Sequence, residues 1–123
     1  MGCEDIIHVF FHMSTSLKLY HWQTKSYARH VASCGLLGVV LPLIDRFIET
    51  YMGRYKRPSF PQGLEISLKE LTEESVIESL ESYVRFLKSE LPKYVKSSDT
   101  DLLNIRDEML AEFNKTLYLF TLG

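Results

Sequence analysis

The spacing of apolar side chains confines this chain more than any other feature. At its start, Ile6, Ile7, Phe10, Met13, Leu17 and Tyr20 recur at intervals of three and four; near its end, Leu102, Ile105, Met109, Phe113, Leu117 and Phe120 do the same. That period puts the apolar groups on one side of a helix, and no segment sustains the two-residue alternation of a half-buried strand. The breaks between the periodic stretches are equally readable. "TKS" at 24–26 interrupts the pattern, and "KRPSFPQGLEIS" at 56–67 holds two prolines and a glycine, a connection long enough to cross from one end of a bundle to the other. Ser67 with Glu70, or Thr72 and Ser75 with Glu78, supplies capping pairs for a third helix that runs toward Pro92, and "SSDTD" at 97–101 supplies caps for a fourth. The sequence thus predicts an all-α chain with helices over about 3–23, 27–55, 68–91 and 100–121, packed as a four-helix bundle.

Composition narrows the partners. With 123 residues, 46% hydrophobic and 24% charged, the chain is long enough for one domain with a core and too short to expect two. A formal net charge of -2 and the lack of a Lys/Arg-rich tail argue against nucleic acid. The longest apolar run, "GLLGVVLPLI" at 35–44, covers about half of a bilayer as a helix, which predicts no membrane span. "MGCEDI" reaches acidic residues at once, unlike a secretory signal, and two cysteines are too few for a disulfide framework. The expected location is cytoplasmic.

The second predicted helix carries an oddity: Gly35, Gly38 and Pro42 all fall inside it. Proline lacks the N–H that would bond the carbonyl four residues back, so a kink is expected if the helix continues, with a break as the competing outcome. The glycines have a second reading, since small residues let helix backbones approach closely and would suit a tight interface with a second copy or another partner. The run "TLYLFTL" at 116–122 is expected in the core.

Four side chains on the first two helices have metal-binding chemistry. His21 closes the first helix and His30 opens the second, so a turn at 24–26 can bring both imidazoles to one end of the bundle. Cys34 lies four residues past His30 on the same face, and Asp45 and Glu49, also four apart, pair two hard oxygen donors on one stripe. His30 and Asp45 are about 22 Å apart along a helix axis. One chain therefore cannot close the set; a second copy with its helix reversed can, and a two-fold dimer through this helix would hold two equivalent sites. Two nitrogens and two carboxylates suit iron, with zinc or manganese as rivals. His8 and His12 share the i, i+4 spacing but sit amid "VFFH", and are read as partly buried packing residues. The plainer reading of the four is that the histidines make local bonds at helix ends and that Asp45 and Glu49 pair with Arg46 or Arg54.

A His-Trp pair ending a first helix, a histidine opening the second, a ligand position four residues on and D-x-x-x-E fifteen residues after that histidine together resemble the Dps branch of the ferritin-like superfamily. The strings "LKLYHWQTKSYARH", "LIDRFIETYMGRYKRP" and "DLLNIRDEMLAEFNKTLYLFTL" are similar to an uncharacterised Dps-like family of large DNA viruses and phages. The resemblance implies an antiparallel, ferritin-like bundle. It implies that His21 and His30 meet Asp45 and Glu49 of a two-fold mate to bind and oxidise iron, with Trp22 beside the ion. Cys34 stands where the family has its third, acidic ligand, and the His21–His30 interval is three residues shorter than in Dps proteins. A second function of another class follows from the same resemblance: a virion or minor capsid component that keeps the bundle with a vestigial site, resident in the host cytoplasm or the virion.

Overall fold

The computed structural model describes residues 2–122, and among them every regular element is helical. α1 spans Cys3–Gln23, α2 Tyr27–Arg54, α3 Ser75–Arg85 and α4 Thr100–Leu119; a π-helical turn at Phe86–Glu90 and a 3-10 turn at Leu91–Tyr94 extend α3. The packing is that of a four-helix bundle. Local chemistry explains the boundaries. Glu4 and Asp5 sit in the first turn of α1, where the helix dipole favours negative charge. Ser26 caps α2 by accepting a hydrogen bond from the Arg29 amide at 3.2 Å.

The third helix starts later than the expected 68. Thr72 and Ser75 each accept the other's backbone N–H, at 2.9 and 2.7 Å, and this reciprocal pair, rather than the expected box with Glu78, stands at the first turn. Ser67 and Glu70 remain in the irregular connection. Pro42 does not break α2, which is helical throughout. The "PQG" turn needs its glycine: Gly63 has φ +82° and bonds the Phe60 carbonyl.

The core follows the stripes. Ile6, Phe10, Met13, Leu17 and Tyr20 of α1 meet Leu36, Val40 and Phe47 of α2, Leu80 of α3, Leu87 and Leu91 beyond it, and Leu102, Met109 and Phe113 of α4. Phe10 lies edge-on to both Phe47 and Phe86, at 5.7 and 6.1 Å between ring centres. The final run is only half core: Thr116 and Phe120 are buried, whereas Tyr118 and Leu122 are exposed. An α-helix shows every side of itself, so an unbroken apolar run at its end cannot be wholly covered. α2 is apolar beyond what the bundle covers, for by length and mean hydropathy it is the one described helix that could cross a membrane, yet only 33% of that stretch is buried.

At the end of the bundle away from the α1–α2 turn, Asp99 is a buried carboxylate that holds the C-terminus of α2 to the start of α4. It accepts hydrogen bonds from the Tyr55 hydroxyl and, at 2.8 Å, the Lys96 amide, with Arg54 Nε 3.4 Å away. Arg54 also bonds Asp101 at 2.7 Å. The Tyr55 hydroxyl bond, chiefly, holds the Asp99 carboxyl below its usual range, and the Arg54 bond does the same for Asp101. Groups with a lowered folded-state pKa contribute stability that is full above the unfolded-state value and lost as pH falls through the folded one. Thermal melts between pH 6 and 2 should therefore show a fall beginning near pH 4, and Asp99→Asn should flatten that acid limb while lowering the melting temperature at pH 7.

Candidate functional site

The short α1–α2 turn brings His21 and His30 together. Their rings stack with centres 4.0 Å apart and planes 14° from parallel. His21 Nδ1 lies 2.9 Å from the His30 carbonyl, and His30 Nδ1 lies 2.8 Å from the His21 carbonyl. A carbonyl only accepts, so each Nδ1 carries the proton and donates it to the other residue's backbone. Ser33 completes the clasp, its hydroxyl donating to the His30 carbonyl at 3.0 Å and lying 3.0 Å from His21 Nδ1.

The consequence is chemical. With both Nδ1 atoms committed, the neutral tautomer leaves both Nε2 atoms as lone-pair donors, and neither has a hydrogen-bond partner among the described residues. Metal-binding histidines are oriented by this same Nδ1–H to carbonyl bond. His21 is buried, and that burial, followed by the neighbouring His30, holds its pKa below the ordinary histidine value, so its ring is neutral near pH 7.

A salt bridge braces the turn from outside. Glu73 accepts from Thr24 Oγ1 at 2.8 Å, Tyr20 OH at 3.1 Å and Arg29 Nη1 at 3.3 Å, while Arg29 lies 5.0 Å over the Phe120 ring. Sequence reasoning missed Ser33 and Glu73. Ser33 had a readable signal, lying one turn after His30; Glu73 had none, because a 44-residue separation from Arg29 leaves no trace in spacing.

The oxygen donors lie elsewhere. Asp45 and Glu49 are exposed on α2, and among the described residues neither has an ion-pair or hydrogen-bond partner. Arg46 pairs with Glu108 at 3.5 Å and Arg54 with Asp99 and Asp101, which removes the two cations the plainer reading gave these acids. No three His, Cys, Asp or Glu side chains among the described residues gather closely enough to hold an ion.

The other candidates divide by exposure. Cys34 is exposed and Cys3 buried, where desolvation pushes its thiol up to about 11 and makes it inert. Trp22 is 67% exposed, with the Lys18 ammonium 5.7 Å from its ring centre. His8 is exposed rather than partly buried, because its Nε2 bonds the Glu65 carbonyl in the connection outside the bundle. His12 is half-buried against Tyr83.

Fold and site together define an all-helical bundle with a paired-imidazole clasp at one end and unpartnered carboxylates on an outward face. Residues 21–120 match a family of unknown function, DUF5856, and the chain belongs to that family. The match begins at His21, so the clasp, Trp22, Asp45 and Glu49 all lie within the family region. Comparison with curated proteins and with solved structures gave no match.

Proposed function

We propose that this chain is a Dps-like iron-binding protein on an antiparallel, ferritin-like bundle, its site an altered ferroxidase-type centre shared between two copies. The observation that carries the reading is the histidine clasp, which ties down both Nδ1 atoms and leaves two stacked Nε2 donors. Antiparallel packing accounts for the contacts of Phe10 with Phe47, His21 with His30, Arg29 with Phe120 and Arg54 with Asp101.

A two-fold axis across α2 brings the donors together at one particular crossing point. His30 and position 47, midway between Asp45 and Glu49, are equidistant from position 38.5. Gly38 stands there on the exposed face of α2, and a Cβ at Gly38 would meet nothing within 4 Å inside the chain. The bundle itself does not need this glycine; a close crossing of two helices does. His21 and His30 of one copy then face Asp45 and Glu49 of the other, a nitrogen and oxygen set that fits ferrous iron as substrate, with Cys34 as a soft additional donor and Trp22 alongside.

Metal analysis after anaerobic loading with ferrous iron tests this, with zinc and manganese in parallel. Iron is expected to be retained, and His30→Ala should weaken binding by at least about 100-fold, beyond what outer-shell changes cost. Equal affinity in His30→Ala would remove the iron reading. Gly38→Leu should leave the monomer folded and shift sedimentation from dimer to monomer.

The unburied apolar surface of α2 favours a second reading, a viral structural or minor capsid component assembled through that helix. Assembly that persists in a chain retaining none of the three metals would select it.

A further inference from the structure

We propose that the cavity enclosed by α1, α3 and the connection before α3 is a binding site for a small tetrahedral oxyanion of the phosphate class. The cavity is about 190 Å³ and is lined by His12, Ser16, Ser67, Lys69, Leu71 and Ser79. Three elements build it. His12 and Ser16 are one turn apart on α1, Ser79 belongs to α3, and Ser67, Lys69 and Leu71 come from every second position of the connection, the alternation of an extended chain.

Every polar group in this lining can donate a hydrogen bond, and no carboxylate lines it. Among the described residues, Lys69 has no ion-pair partner and the side chains of Ser67 and Ser79 have no hydrogen-bond partner. Glu70 is turned away, accepting from Gln23 at 3.1 Å. The buried end of the cavity is ordered as well. Tyr83 is buried, and desolvation raises its pKa, so the phenol keeps its proton. Its hydroxyl lies 3.3 Å from His12 Nδ1, and in the tautomer where the phenol donates this bond His12 keeps Nε2–H as its free donor. Ser16, 3% exposed, lies against the Tyr83 hydroxyl.

A lining of three hydroxyls, one ammonium and one imidazole N–H matches a ligand with several acceptor oxygens and negative charge, and charge-assisted bonds to such oxygens are the strong ones. The space admits an ion of that size. This site is independent of the histidine clasp, sharing no residue with it.

The test is titration of the full chain with inorganic phosphate, followed by ³¹P line broadening and thermal melts against sodium chloride at equal ionic strength. Phosphate is expected to raise the melting temperature in a saturable way, sulfate to compete, and acetate not to. Lys69→Gln and Ser67→Ala, both at exposed positions, should melt like the parent without phosphate yet weaken its binding at least fivefold. His12→Gln should do the same if it folds. A phosphate response no larger than that of chloride, or one unchanged in Lys69→Gln, would overturn the site.

Discussion

Replacing Phe10 with alanine is expected to lower the melting temperature by roughly 12–19 °C, the equivalent of a loss of about 3–5 kcal/mol. Phe10 is 1% exposed and stands edge-on to Phe47 of α2 and to Phe86 at the end of α3, so one ring joins three parts of the bundle. Its removal leaves a cavity that neighbouring helices cannot collapse into without losing their own contacts. Against a total stability of about 5–15 kcal/mol for a domain of ordinary size, this single change consumes a large share. Phe11, the next residue, provides the control. It is exposed, and Phe11→Ala should fall within about 0.5 kcal/mol of the parent in thermal or urea melts. Comparable losses at both positions would mean that Phe10 is not the packing centre of the core.

The contrast between Phe10 and Phe11 also shows what could be read from the sequence. Helical periodicity separates the two residues without any coordinates, and it identified the inward stripes of α1 and α4. The polar break at 24–26 fixed the first turn because Thr24 and Ser26 have capping chemistry of their own. Periodicity is silent where two capping pairs compete. Ser67 with Glu70, and Thr72 and Ser75 with Glu78, are both sound on paper; Thr72 and Ser75 bond each other's backbone without Glu78, and the upstream stretch joins the connection that covers α1, with His8 bonded to Glu65. The run from Thr116 to Leu122 misleads for a different reason, since hydrophobicity alone does not say which side of a helix has a neighbour.

The candidate site was legible in part. The proximity of His21 and His30 follows from a short turn between two helices, but the exchange of Nδ1–H bonds that sets their tautomers does not. That exchange depends on backbone carbonyls at helix ends, which no residue type encodes. The partners of Arg46 and Arg54 were equally hidden. Arg46 sits within helical reach of Glu49 and Arg54 lies five residues beyond it, yet each turns to α4 or its N-terminal cap, where Glu108, Asp99 and Asp101 wait. For Arg54 the pairing across helices wins because Asp99 is buried and needs a cation, whereas Asp45 and Glu49 are solvated and do not; Arg46 and Glu108 are both exposed, and burial does not decide that pair.

Pro42→Ala should stabilise the folded chain by about 2 kcal/mol, the difference between a helix-interior cost of about 3 and up to about 1 recovered from a stiffer unfolded state. That corresponds to a rise of roughly 8 °C in melting temperature. The site makes the sign clear: α2 is helical on both sides of Pro42, the ring is exposed, and the Gly38 carbonyl loses its helical donor. A residue that costs stability at an exposed position is not needed by the bundle, and under the proposed self-association its place is explained by what the outward face of α2 would meet. Gly38 and Pro42 share that face, one removing a side chain and the other freeing a carbonyl beneath it. A neighbouring α2 crossing at Gly38 would approach that carbonyl. Pro42→Ala is therefore expected to raise the melting temperature at micromolar concentration and, in sedimentation measurements, to weaken self-association. A variant that melts lower than the parent would show that Pro42 packs into the α2–α4 groove, and one that melts higher with unchanged association would separate the proline from the interface.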